Sequence, residues 1–194
     1  MRIAEIERKT METEIKIKLD LDGKGMNQIN TGIKFLDHLL VSFSKNGMFD
    51  VEINAKGDLE VDGHHTVEDL GLVLGQAFDK ALGERRGINR YGFFLLSMDE
   101  ALAEVAIDLG GRPYLQFETQ FKRDEIGGLS TELAYDFFEA FTRGSRANIS
   151  VRLLSGRNDH HKLEAIFKAF GRALRMACEP DTRQNGVPST KGVI

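Results

Sequence analysis

Four of the five histidines in this 194-residue chain fall in two copies of one pentad. These are His64-His65-Thr66-Val67-Glu68 and His160-His161-Lys162-Leu163-Glu164. The fifth is His38, in Phe35-Leu36-Asp37-His38-Leu39-Leu40. Imidazole and carboxylate at helical spacing form the ligand set of a transition-metal site. On a helix, His64 and Glu68 lie one turn apart on one face, and His65 and Glu68 are neighbours at i and i+3. Adjacent histidines point about 100° apart. They therefore suit two different ions, or an ion and a substrate, better than joint chelation of one. A lone His-His pair is usually surface or core, but a matched second copy with its own Glu favours metal. Imidazole and carboxylate without thiolate suit Mn, Fe, Zn, Co or Ni, and disfavour Ca and Mg, which prefer all-oxygen shells.

The elements around the pentads repeat. Glu14 to Leu21 alternates polar and apolar as a half-buried strand, and Asp22-Gly23 ends it. A short extended piece near Gln28 to Asn30 leads to Thr31-Gly32. There a helix can start with Ile33, Leu36, Leu39, Leu40 and Phe43 on its apolar face. Phe49 to Ala55 is strand-like, and a second helix opens near His64. In the second half, strands at Ala101 to Leu109 and Tyr114 to Phe121 precede a helix over Ser130 to Arg143. A strand at Ile149 to Leu154 then precedes a helix from about Asp159 to Cys178. Each half thus reads strand, strand, helix, strand, helix, and both pentads open the second helix. Asp62 and Asp159 are expected to cap those helix starts. Asp136 sits in its helix about where His38 sits in the first, which makes it a candidate oxygen ligand. Asp37, beside His38, is equally well a partner for that histidine or a solvated acid.

The expected class is α+β, an internal duplication of two small mixed sheets with helices packed between them. The halves divide as residues 1–90 and 91–194, with residues 84–98 as the link. Glu179 to Ile194 holds Pro180, Gly186 and Pro188 without periodicity and is expected to be loop-like. A composition of 41% hydrophobic and 29% charged residues is that of a soluble globular protein. The net charge of −4 gives no reason to expect nucleic acid or acidic lipid as a partner. The single cysteine, Cys178, excludes an intrachain disulfide and suits a reducing cytoplasm. No apolar run is long enough to span a membrane, and the first residues lack a signal peptide's apolar stretch.

The pentads in context, Asp62-Gly63-His64-His65-Thr66-Val67-Glu68-Asp69 and His160-His161-Lys162-Leu163-Glu164-Ala165-Ile166-Phe167-Lys168, resemble those of imidazoleglycerol-phosphate dehydratase. So do Phe35 to Leu40, Asn89-Arg90-Tyr91-Gly92, Gly111-Arg112-Pro113-Tyr114-Leu115 and the tail Pro188-Ser189-Thr190-Lys191-Gly192-Val193-Ile194. The match runs in order over essentially the whole chain, like the stand-alone enzyme. The resemblance implies a ribosomal protein S5 domain 2-like fold. It also implies dehydration of imidazoleglycerol phosphate to imidazoleacetol phosphate in histidine biosynthesis. Two Mn2+ ions per active site are implied, on His38, His64, His65, Glu68, His160, His161 and Glu164. So is a cytoplasmic 24-subunit shell with sites shared between subunits.

By resemblance, Glu12 handles the C–H proton, with His65, Glu68 and Glu164 also catalytic. Alone, Glu12 would look like a surface acid, as its neighbour Glu14 does. Arg90, Arg112, Lys168, Ser189, Thr190 and Lys191 match the family's phosphate and substrate ligands, and guanidinium and ammonium donors suit a phosphate. Some positions depart from the pattern: Asp136 stands where a metal-binding His is usual, Ser42 replaces a Gln, and Asn46 and Ser150 stand where His is frequent. Two other classes compete. A dinuclear phosphate-ester hydrolase would use the same metals and cations. A non-catalytic metal-binding shell would leave Arg90, Arg112 and Ser189 to Lys191 without a role.

Overall fold

The computed structural model describes residues 1–194. The first half holds β1 (Ile3–Lys9), β2 (Thr13–Asp20), β3 (Asn27–Asn30), α1 (Lys34–Gly47), β4 (Asp50–Gly57) and α2 (His64–Leu82). The second holds β5 (Tyr91–Met98), β6 (Ala101–Asp108), β7 (Tyr114–Glu118), the small hairpin β8 (Glu125–Ile126) and β9 (Leu129–Ser130), α3 (Leu133–Ser145), β10 (Asn148–Ser155) and α4 (Asp159–Cys178). The sheets have matching orders, β1-β2-β4-β3 and β5-β6-β10-β7. In each, only the last pair is parallel: β3 with β4, and β7 with β10. The fold is α+β with two mixed sheets, as expected. One strand per half, however, is missing from the expected order. Each half is strand, strand, strand, helix, strand, helix.

The missed strands have a physical reason. In β5 the outward residues are Tyr91, Phe93 and Leu95, and the inward ones are Gly92, Phe94 and Leu96. Both faces are apolar or small, so the period-2 signal vanishes, and the supposed link over 84–98 contains a full strand. In β1 the inward positions are Ala4, Ile6 and the part-buried Arg8, while apolar Ile3 faces outward, so Ile6 is the one large apolar residue on the inner face.

The helices bury Leu39, Phe43, Leu70, Leu74, Phe78, Phe137, Phe141, Phe167 and Phe170 against the inward faces of both sheets. α1 packs on α4, and α2 on α3. Close approach rests on glycine. A Cβ at Gly71 would lie 2.4 Å from the Phe137 carbonyl oxygen, and one at Gly75 would lie 2.4 Å from that of Phe141. Both contacts advance by four residues in the same direction, so α2 and α3 run parallel. Gly171 meets the Phe43 carbonyl at 2.5 Å in the same way. Parallel packing brings the N-terminal turns of each helix pair side by side, and those turns carry His38, Asp136 and both pentads.

The caps differ from expectation at one start. Asp62 Oδ1 accepts from the His64 backbone N–H at 2.7 Å, as a start-of-helix acid should. In α4 that role belongs to Asn158, whose side chain accepts from the His160 N–H at 3.0 Å. Asp159 is instead buried. It accepts from the Lys122 and Arg123 N–H groups and pairs with buried Lys162 at 2.7 Å. The charge that looked like a cap is consumed in fixing the β7–β8 segment to the helix. Asp37 resolves as neither expected alternative: its Oδ1 accepts from the Thr31 N–H and hydroxyl, both at 2.8 Å, and so ties down the approach to α1.

Candidate metal and substrate site

Three side chains converge between α1 and α4. Glu164 Oε2 lies 3.2 Å from His160 Nε2 and 3.4 Å from His38 Nε2. The three donor atoms all lie within 4.8 Å of one another. Ligand bonds of about 2.1 Å put cis ligands of one ion roughly 3 Å apart, so this cluster fits a single metal ion. Phe35 packs its ring 4.8 Å from that of His160 and limits its rotation. Glu164 is nearly buried, which opposes ionisation of its carboxyl. Lys168, at 2.9 Å from Oε1, and His38 outweigh that and hold it below the ordinary glutamate range. One oxygen thus faces a cation and the other faces the imidazoles.

The counterpart between α2 and α3 is more open. His64 Nε2 is 3.8 Å from Glu68 Oε2, while His64 Nδ1 is 3.9 Å from Asp136 Oδ2. The two acids therefore lie on opposite nitrogens of one ring. A single imidazole cannot aim both nitrogens at one ion, so these three do not converge as the first set does. Glu68 Oε1 is held at 2.6 Å by Arg143, much as Lys168 holds Glu164. Arg143 carries no recognisable motif, and nothing in the sequence singled it out.

The second histidine of each pentad turns away from the first. The rings of His64 and His65 are inclined by 80°, and those of His160 and His161 by 89°. His65 Nδ1 contacts Asp58 at 3.0 Å, and its Nε2 faces Glu12 at 3.9 Å. His161 Nδ1 contacts Glu100 at 2.9 Å, and its Nε2 faces Asp99 at 3.7 Å. Both imidazoles are raised above the ordinary histidine range, chiefly by those carboxylate hydrogen bonds. Glu100 is lowered to about 2, first by His161 and then by backbone N–H groups. Asp58, Asp99 and Glu100 were not identified from sequence. Their signal lies in the turns that follow β4 and join β5 to β6, and the second of these is invisible while β5 goes unread.

The tail forms the other part of the site. Arg90, Arg112, Ser189, Thr190 and Lys191 line one polar cleft of about 750 Å³. Arg90 forks onto Asp108 at 2.6 and 3.1 Å and donates to the Pro188 carbonyl at 2.7 Å. It thereby anchors the tail and keeps two N–H donors in reserve. A Cβ at Gly111 would sit 2.8 Å from the Ile194 carbonyl carbon, so the chain end packs on the turn that carries Arg112. Lys168 does not line this cleft. It stays with Glu164 and touches the Met98 sulfur at 3.5 Å.

Comparison with known proteins decides the family. The model for imidazoleglycerol-phosphate dehydratase matches residues 31–174. The chain belongs to the imidazoleglycerol-phosphate dehydratase family. The dehydratase of Gluconacetobacter diazotrophicus is 54% identical over 194 residues, covering 100% of this chain and 98% of that one. The Koribacter versatilis dehydratase is 52% identical, with 100% of both chains covered. The Staphylococcus aureus dehydratase crystal structure superposes with a TM-score of 0.83 at 36% identity, over 92% of this chain and 99% of that one. The Pyrococcus furiosus enzyme, solved in complex with (S)-C348, gives 0.84 at 35%, over 97% and 100%. This dehydratase is therefore a hydro-lyase of histidine biosynthesis, and its fold is the family's.

Proposed function

We propose that the chain converts D-erythro-imidazoleglycerol phosphate to imidazoleacetol phosphate with two Mn2+ ions per active site, in the cytoplasm, as a 24-subunit shell with sites shared between subunits. It acts as one pseudo-symmetric unit of two halves, 1–90 and 91–194. The convergence of His38, His160 and Glu164 supports this reading most, because their donor atoms lie within 4.8 Å of one another, the spacing a single ion needs. Because the two rings of each pentad diverge, His65 and His161 would serve a different ion from the neighbouring His64 and His160. Glu68 and Glu164 would be the carboxylate ligands, and Asp136 would act as an oxygen donor near His64. Bound there, Mn2+ would supply Lewis acidity to the substrate's imidazole ring and favour its deprotonated form.

The chain's own groups do the remainder. Glu12, on the β1–β2 hairpin beside His65, takes the C–H proton from the carbon next to the one that loses its hydroxyl; proton and hydroxide leave as water, and the enol so formed is reprotonated at carbon to the ketone. Arg112, Lys191, Ser189, Thr190 and the spare donors of Arg90 hold the phosphate, which fixes the reacting carbon relative to Glu12. Lys168 adds a cation from a second surface. Its separation from the tail cleft within one chain is what a site shared between subunits requires.

The test is metal analysis with turnover. Chelator-stripped protein should lose dehydration of imidazoleglycerol phosphate and regain it as two equivalents of Mn2+ per chain are restored. Full turnover in stripped protein, or release of inorganic phosphate in place of a ketone product, would sink this reading.

A further inference from the structure

The carboxylates that meet Nδ1 of His65 and Nδ1 of His161 come from positions the duplication does not relate. In the first half the partner is Asp58, from the turn after β4. At the matching point after β10 stands Arg157, behind Gly156, which cannot accept a hydrogen bond. The second half uses Glu100 from the β5–β6 hairpin instead. The residue matching Glu100, just ahead of β2, is Glu12, and it faces the other nitrogen of its histidine. Two unrelated sequence positions thus deliver a carboxylate to the same atom, Nδ1, of two equivalent histidines. Inheritance from a common half does not produce that pattern, but a shared demand on the ring does.

The demand follows from imidazole chemistry. An ionised carboxylate only accepts, so Nδ1 must carry the hydrogen, and in the neutral ring Nε2 is left with its lone pair free. A metal-ligating histidine typically has its other N–H fixed in this way. Glu100 is itself held: its Oε1 accepts from the Asn158 and Arg157 N–H groups at 2.7 and 3.2 Å. We infer that Asp58 and Glu100 are positioning residues that fix His65 and His161 as Nδ1–H tautomers and present Nε2 to the metal. This rests on the dinuclear-metal reading. It assigns those two histidines one ligand atom each and separates Glu100, which orients, from Asp99, which faces Nε2.

The presence of only five histidines makes a direct measurement practical. The full-length assembled protein, labelled with 15N-histidine and stripped of metal, is read by solid-state NMR above the titration of its imidazoles. Two rings should be Nδ1-protonated with bare Nε2, and Asp58→Ala and Glu100→Ala should each release one of them into a tautomer mixture. Mn2+ titration of the same proteins should show affinity reduced on the order of 10- to 100-fold in each variant. Asp58→Asn and Glu100→Gln, which keep an acceptor oxygen and the side-chain volume, should recover part of that loss and serve where the alanine variants fold poorly. Wild type that binds Mn2+ while both rings are Nε2-protonated, or variants that bind it as tightly as wild type, overturn the inference. Wild type that takes up no Mn2+ overturns the dinuclear reading instead.

Discussion

At the scale of single residues, the site separates groups that look alike in sequence. Glu12 and Glu14 are both exposed acids near the first turn, but Glu14 pairs with Lys9 at 2.7 Å while Glu12 faces His65. Glu12 does not belong to a set of converging donors. Glu12→Gln should therefore lower kcat by about 10²- to 10⁴-fold, the usual worth of a general acid–base group, and leave Mn2+ content unchanged. Parallel metal analysis and steady-state kinetics check this, and unchanged kcat would remove Glu12 from the chemistry. Asp136 is the opposite case. It lies on the far nitrogen of His64 from Glu68, so it can share an ion with Glu68 only if the ring or the carboxylate moves. Asp136→Ala should reduce Mn2+ uptake to below that of wild type. Unaltered occupancy and turnover would show that it is no ligand.

Elements hold these groups through close packing and buried charge. A branched side chain at position 71 would force α2 away from the Phe137 carbonyl and carry His64 and Glu68 with it. Gly71→Val should cost about 1–3 kcal/mol as overpacking and weaken Mn2+ binding along with stability, read by denaturant melts and metal titration. Normal metal binding in a folded variant would show that helix spacing does not set the site. The Asp159–Lys162 pair works on the other side, beneath the second pentad. Burial opposes ionisation of Asp159, but Lys162 and the Arg123 and Lys122 amides prevail and hold it below the ordinary aspartate value. Its stabilisation is thus complete above the unfolded value near about 3.9, and is lost as pH falls through the lower folded value. Asp159→Asn, which strands buried Lys162, should cost about 3–5 kcal/mol at neutral pH. The gap from wild type should narrow as acid protonates the native Asp159. A gap that stays constant from neutral pH to about pH 2 would contradict this account of the pair.

For the whole molecule, the tail cleft and the His38–His160–Glu164 cluster are separate surfaces of one chain, with Lys168 belonging to the second. If sites are shared, mixing two inactive proteins should restore activity. Glu12→Gln and Lys191→Ala chains, reassembled together, should regain a measurable fraction of wild-type turnover because some sites draw both intact residues. Mixtures no more active than either parent would place each complete site within one chain. Tyr91, Phe93 and Leu95 form an exposed apolar row on β5.

The sequence by itself determined the duplication, the paired helices and the histidines. Those signals are local: a 3.6-residue period over long helices, turn residues, and a rare residue type used twice. It also determined the family, through motifs spread along the chain. Only the tertiary structure decided which acids meet which nitrogen. Glu100, Arg143 and the placement of Asp136 depend on contacts across 61, 75 and 72 residues of chain, which no local pattern records. It alone recovered β5, whose two apolar faces erase the alternation that marks a strand. It likewise moved Asp159 from helix cap to buried ion pair, because burial is a property of the packed chain and not of the residue.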